Sequence, residues 1–320
     1  MRRFVFAAIV VGTSLIAGAA SDLVTVDGGQ ISGTSEDGVR AFKGIPFAAP
    51  PVGALRWKAP QPVVPWTGVR AADTFGAECM QTPYPTGSPY ASEPRPISED
   101  CLYLNVWTTA KPGDKRPVLF WIHGGAWTRG SGSTPTYDGA ALARRGVIVV
   151  TTNYRLGVLG FLAHPELTAE SDHHASGNYA ILDHVAALKW VQKNIAAFGG
   201  DPAKVTIFGE SAGSWSVNVT QATPLAKGLF RAAIGESGGQ FARVATLEQA
   251  ERAGAALGKS LGADSLAALR ALPAEKLNGV QAFRTGVNVD GYVLPQDVRS
   301  IFAAKQQSQV PVIVGSNANE

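Results

Sequence analysis

Five short apolar runs set the limits on what this chain can fold into: Val118 to Ile122, Val147 to Thr152, Val205 to Phe208, Ala232 to Gly235 and Val312 to Gly315. None of them alternates apolar with polar residues, so each reads as a strand covered on both faces. Between the second and third runs, residues 177–198 place Ile181, Val185, Leu188, Val191 and Ile195 at a 3.6-residue period, which predicts an amphipathic helix. Two further helical patterns span residues 247–260 and 264–272. Strand and helix in alternation predict an α/β fold: a mostly parallel central sheet with right-handed crossovers and helices on both faces. Ligands in such sheets bind beyond the carboxyl ends of the strands. Ahead of the first run, residues 22–34 read as a hairpin turning at Asp27-Gly28, residues 44–66 as a proline-rich irregular arm, and residues 82–98 as a long loop.

Composition supports a large interior and narrows the partners. Charged residues make up only 17% of the 320, against roughly a quarter in an average domain. Lys plus Arg total 28 and Asp plus Glu 25, a formal charge of +3, and two of the positive charges, Arg2 and Arg3, belong to a leader. That near-neutral balance argues against nucleic-acid binding, which calls for a strongly basic face. Residues 1–20 run from the two arginines through an apolar stretch, Phe4 to Ile16, into Ala17-Gly18-Ala19-Ala20. This is the order of a secretory signal peptide cleaved after Ala19 or Ala20. The apolar stretch is short of the roughly 20 residues that cross a bilayer. The expected mature domain is 21–320, secreted or periplasmic, with no membrane span once the leader is removed. In an oxidising compartment the two cysteines, Cys79 and Cys101, form either a disulfide or two buried thiols.

The loops leaving the strand ends carry the chemistry. Gly209-Glu210-Ser211-Ala212-Gly213 comes after the third run and fits the G-x-S-x-G elbow, in which glycines let a strand turn sharply into a helix and expose the serine. A second match, Gly235-Glu236-Ser237-Gly238-Gly239, comes after the fourth run. Residues after Ser211 can continue as a helix, whose first N–H groups and dipole favour an anion. Ser237 is followed by two glycines, poor helix starters. Ser211 is therefore the candidate nucleophile. His123-Gly124-Gly125-Ala126-Trp127, directly after the first run, is either a plain glycine turn or half of an oxyanion hole, and the Ser211 elbow downstream favours the latter.

Longer segments sharpen this reading. Phe198 to Gly213, FGGDPAKVTIFGESAG, and Glu99 to Trp107, EDCLYLNVW, resemble the two signatures of the type B carboxylesterases, the α/β-hydrolases that include the cholinesterases. Gly44 to Ala48, Asn153 to Gly157 and Gly177-Asn178-Tyr179 are similar to further family segments, while Thr109 stands where the second signature usually has proline. The resemblance runs from about residue 22 to residue 320. It implies an α/β-hydrolase fold acting on small-molecule carboxylic esters through Ser211, with an oxyanion hole from the N–H groups of Gly125, Ala126 and Ala212. It implies a Cys79–Cys101 disulfide, an Arg56–Glu99 salt bridge, and a bracing role for Ser237. Glu320, closing Gly315-Ser316-Asn317-Ala318-Asn319-Glu320, corresponds to the triad acid. No cofactor or metal is implied.

The base is not in its usual place. In this fold the partners come in the order serine, acid, histidine, yet His123, His164, His173, His174 and His184 all precede Ser211. His123 reads as a brace for its own turn and His184 as a satisfied packing residue. His173 and His174 lack partners at metal-binding spacing. The expectation is a fold incomplete at its C-terminal end, weakly active or inactive as written, with an unpaired strand at Val312 to Gly315. The alternative is a non-catalytic esterase-like binding or adhesion module. Trp127 and Trp215 flank the oxyanion parts and are either lining of an acyl pocket or, equally, ordinary core residues.

Overall fold

The structure, a computed structural model, describes residues 22–91, 93–280 and 283–319. The leader and Glu320 lie outside the described residues. Nine strands form the path of the central sheet: β1 Asp22–Val26, β2 Gly29–Glu36, β3 Val39–Pro46, β4 Tyr103–Thr108, β5 Arg116–Ile122, β6 Ile148–Thr152, β7 Gly200–Glu210, β8 Ala232–Glu236 and β9 Val312–Gly315. Their spatial order is β1-β2-β3-β4-β6-β5-β7-β8-β9, with Val69–Ala71 pairing off this path on β2.

All five apolar runs are strands, and they lie side by side: β6-β5-β7-β8-β9 is parallel throughout. The sheet as a whole is mixed, because β1 to β4 pair antiparallel and β4 meets β6 antiparallel. The β1–β2 hairpin turns at Asp27-Gly28 as the sequence predicts. The proline-rich arm, however, begins later than expected: Gly44-Ile45-Pro46 closes β3, with a register shift between Phe42 and Ile45 that admits Gly44 at φ 69°.

Both faces are covered in the middle of the sheet, whereas β9, which the sequence reads as covered on both faces, is exposed. Successive strand residues point to opposite sides. Accordingly Phe42, Val106 and Val150 belong to the main core, while their neighbours Ala41, Trp107 and Val149 pack with Val39 and Ala143 in a separate cluster on the other face. Helix α1, Tyr179–Asn194, buries Ile181, Val185, Leu188 and Val191 in the main core. Ile195 continues that stripe into a 3-10 turn, which Gly199 ends in the left-handed conformation. Helix α2, Ala212–Ala222, starts at the end of β7 and is buried along most of its length. Helix α3, Leu247–Ser260, opens with a capping box: Thr246 Oγ1 accepts from the Gln249 N–H, and Gln249 Oε1 from the Thr246 N–H.

Two links fix the N-terminal arm to this frame. Cys79 and Cys101 are disulfide-bonded, Cα to Cα 4.9 Å. Arg56, 6% exposed, forks onto Glu99 with contacts of 2.7 and 2.5 Å and also donates to the carbonyls of Leu269, Arg270 and Leu272. At the opposite margin β9 leaves Val312, Ile313 and Val314 exposed by 46, 66 and 71%. Among the described residues, no helix is long and apolar enough to cross a membrane.

Candidate active site

Strand β7 ends at Glu210 and α2 begins at Ala212, so the reversal falls on one residue, Ser211, at φ 54° and ψ −120°. A non-glycine residue held there is strained by roughly 1–3 kcal/mol and persists only where its surroundings impose it. They do. The Ser211 N–H donates 2.9 Å to Glu236 O at the end of β8, and its carbonyl accepts from the Trp215 N–H at 3.0 Å in the first turn of α2. Glycine is required on either side by close approach. A methyl group on Gly209 would stand 2.6 Å from Gly213 C, and one on Gly213 would stand 2.1 Å from Ile122 O.

The glycine turn after β5 lies against this elbow. A methyl on Gly124 would meet Glu210 O at 2.8 Å and Ser211 Cβ at 3.3 Å. Gly125, Ala126 and Trp127 all have positive φ, at 101°, 54° and 58°. Among the described residues, no hydrogen-bond acceptor is paired with the N–H of Gly125, Ala126 or Ala212. Ser211 is half-buried, Ala212 buried and Ala126 exposed. Unpaired N–H donors thus gather at a helix start and a strained turn next to a hydroxyl, an arrangement that favours an anion.

Trp127 turns inward from the glycine turn. Its Nε1 donates 2.8 Å to Ser216 Oγ on α2, and its ring meets Trp215 edge-on at 5.3 Å and Phe161 at 5.2 Å. These three rings, with Phe283, Val287 and Asn288, line a cavity of about 520 Å³ beside the elbow. Trp127 is also buried in the main core, with Trp215 packed against it.

The five histidines are placed elsewhere. The buried His123 ring sits 2.8 Å from Gly124 O through Nδ1, so Nδ1 carries the proton, and it stacks on Tyr154 at 4.3 Å, bracing its own turn. Burial pulls His123 down to about 4. His164 Nδ1 caps the helix Pro165–Glu170, accepting from the Glu166 N–H at 3.2 Å. His173 stacks on Tyr292 at 3.7 Å. His174 sits in a turn at φ 49°. His184 departs from expectation: it is buried, but among the described residues neither ring nitrogen has a hydrogen-bond partner, and burial pulls it down to about 3. Its neighbour Asp183 points instead to Arg155. Among the described residues, no histidine ring bonds to Ser211.

Ser237 is the elbow's double in backbone but not in setting. Its φ is 52° and its N–H donates 2.8 Å to Gly315 O at the end of β9, yet no helix comes directly after it. Gly315 ends β9, and Glu320, five residues on, lies outside the described residues.

Known proteins share this arrangement of elements. The chain is 45% identical over 306 residues to a fumonisin B1 esterase from Sphingopyxis macrogoltabida, covering 91% of this chain and 55% of that one. It is 44% identical to the para-nitrobenzyl esterase of Bacillus subtilis strain 168, covering 93% of this chain and 63% of that one. A solved PNB esterase superposes with a TM-score of 0.85 at 41% identity over 94% of this chain and 64% of its own, and a Geobacillus stearothermophilus carboxylesterase with 0.83 at 42% over 93% and 62%. This chain therefore spans somewhat more than half the length of these relatives. The carboxylesterase family model matches residues 20–320. With the sheet, the Ser211 elbow and the facing glycine turn in place, the chain belongs to the carboxylesterase family.

Proposed function

We propose that this chain carries the nucleophile and oxyanion hole of a serine carboxylic ester hydrolase. One observation supports it above the rest: Ser211 is held at φ 54° on a strand-to-helix turn, beside three N–H groups with no acceptor of their own among the described residues. The Ser211 hydroxyl attacks the ester carbonyl. The carbonyl oxygen, now anionic, rests against the N–H groups of Gly125, Ala126 and Ala212, the alcohol leaves, and water releases the acid from the acyl-serine. Glu320 is assigned as the acid that orients the base. The base itself is assigned to a histidine outside these 320 residues, since none of the five present bonds to Ser211 among the described residues. The substrate is a small carboxylic ester, the class to which the relatives' names point; the cavity beside Trp127 and Trp215 takes one side of it. Residues 1–20 are assigned as an export signal, placing the domain in the periplasm or outside the cell.

A second reading, a non-catalytic binding or adhesion module on the same fold, is favoured by the lack of any histidine contact to Ser211 among the described residues. Retention of the strained serine and the unpaired amides weighs against it, because neither serves packing. The full-length protein treated with a fluorophosphonate is expected to carry one adduct, mapped by mass spectrometry to Ser211, and to hydrolyse short-chain 4-nitrophenyl esters. Ser211→Ala is expected to lose both. An adduct on Ser237 instead, or ester turnover undiminished by Ser211→Ala, overturns the assignment.

A further inference from the structure

The turn that offers the N–H groups is itself strained. Gly125, Ala126 and Trp127 stand in succession at positive φ, and two of the three carry side chains. Such a backbone relaxes unless something holds it. One segment does so at both ends. Tyr154 Oη donates 2.7 Å to His123 O, and the Gly157 N–H donates 2.8 Å to Trp127 O. The first and last residues of the turn are thus tied to positions three apart in a single loop.

That loop is rigid for a visible reason. The Arg155 guanidinium, 3% exposed, forks onto Asp183 of α1 at 2.9 and 2.7 Å, and the Arg155 N–H reaches the same carboxylate at 3.0 Å. A fourth contact runs from Arg155 Nη1 to Lys58 O at 2.8 Å. Tyr154 itself is fully buried, and its ring lies between the imidazoles of His123, stacked at 4.3 Å, and His184, edge-on at 4.5 Å. The chain of contacts therefore runs from α1 through Arg155 and Tyr154 to the peptide that starts the turn.

From this geometry we infer that Tyr154 is a positioning residue for the reaction: its hydroxyl fixes the His123–Gly124 peptide so that the N–H groups of Gly125 and Ala126 stay aimed at the oxygen bound beside Ser211. The inference rests on the reading of Ser211 as nucleophile. Without the hydroxyl, the His123 carbonyl loses its partner in a buried setting, and the turn is free to rotate a peptide and withdraw a donor. The phenol touches neither substrate nor the reacting atoms, and it acts only through the backbone it holds.

Tyr154→Phe keeps the ring between the two histidines and removes only the donor. In the full-length enzyme, kcat is expected to fall about tenfold with KM within about twofold, the pattern of a contact made only in the transition state. The decisive readout is a trifluoromethyl ketone labelled with ¹³C at the carbonyl, which adds to the serine as a hemiketal. Its ¹³C shift reports the ionisation of the adduct oxygen. A hole weakened tenfold raises that pKa by about one unit in Tyr154→Phe. A residue important only for folding would lower the melting temperature and leave the adduct pKa of the folded molecules where it was. An unchanged adduct pKa and an unchanged kcat per folded site overturn the inference. If Tyr154→Phe does not fold, 3,5-difluorotyrosine at position 154, a stronger donor of nearly the same shape, is expected to lower the adduct pKa, and no shift overturns the inference. Ser211→Ala separates the two levels: an adduct that survives it refutes the nucleophile itself, and a wild type that forms no adduct refutes both.

Discussion

Gly213→Ala tests how closely the elbow and the glycine turn depend on each other. A Cβ at this position stands 2.1 Å from Ile122 O and 3.1 Å from His123 C, where ordinary contact begins at 3.4 Å. Both are backbone atoms, so no side chain can swing away and one element must retreat by more than an ångström. Ile122 ends β5 and His123 opens the turn that carries Gly125 and Ala126. Whichever element gives way, the glycine turn shifts relative to Ser211 and the N–H donors shift with it. Overpacking of this kind costs about 1–3 kcal/mol, but Gly213 lies in the first turn of α2, where alanine regains about 1 kcal/mol of helix propensity over glycine. The net stability change is thus about 0–2 kcal/mol, or a melting shift of a few degrees for a domain of this size. Activity is far more sensitive, since about 1 Å of misplacement costs on the order of 100-fold. The assay is the rate of fluorophosphonate labelling at Ser211, tracked by mass spectrometry beside a thermal melt. Labelling slowed about 100-fold in a folded protein is expected. Labelling within about threefold of wild type would show that the two elements are not geometrically coupled and would sink the argument.

Two further outcomes arise from buried groups. His123 and His184, pulled down to about 4 and about 3 from an ordinary 6.5, are neutral in the fold and protonate more readily when it opens. Because the unfolded chain binds these protons first, stability is full above about pH 6.5 and falls as pH drops towards 4, by up to about 1.4 kcal/mol per pH unit for each ring; urea titrations from pH 7.5 to 4.5 should show this, with His184→Phe removing one proton's worth of slope, and an unchanged slope in that variant would refute the assignment. Cys79→Ser with Cys101→Ser opens the disulfide between residues 22 apart and is expected to cost about 3 kcal/mol in chemical denaturation, while ester turnover, whose parts lie on other elements, stays within about threefold.

What can be read from the sequence is what unalternated burial writes into it. Strands β5 to β7 are apolar because both faces are covered, and the 3.6-residue stripe of α1 is there because that helix lies on the sheet; β9 is just as apolar but exposed. Strands β3 and β4 are not legible in the same way. VRAFKGIP contains a glycine and a proline, and its last three residues read as the start of the irregular arm; they extend the strand because Gly44 sits in an irregularity of the ladder, its N–H taken by Asn105 Oδ1 at 2.9 Å. The first residues of β7, Gly200 to Lys204, read GDPAK with no apolar run, and join the sheet through a register shift against β5, which no periodicity announces. His184 escapes the sequence reading for a related reason. Asp183 precedes it directly, but neighbours on a helix face different directions: the carboxylate turns to Arg155 and the imidazole to Tyr154. The disulfide and the Arg56–Glu99 pair are implied by family resemblance, and the structure contains both.

The two serine elbows show why a five-residue pattern underdetermines chemistry. Ser211 and Ser237 end adjacent parallel strands at nearly the same φ, and each passes its N–H to the end of the next strand, Ser211 to Glu236 O and Ser237 to Gly315 O. Backbone geometry and pairing are alike, so strain alone does not mark a nucleophile. The two differ in the segment downstream of each serine and in the element that faces it. After Ser211 comes α2, with its first N–H buried and unpaired among the described residues, and across from it comes the glycine turn, close enough that a methyl on Gly124 would touch the serine. After Ser237 come two glycines, and Gly238 spends its carbonyl on Ser214 Oγ, tying that loop back onto α2. The second elbow therefore buttresses the first: Glu236 O, one residue before Ser237, receives the Ser211 N–H, so the turn at Ser237 helps to hold the turn at Ser211 in its strained state. The same backbone turn thus ends two neighbouring strands, and of the two serines it is Ser211 that the separately clamped glycine turn faces among the described residues.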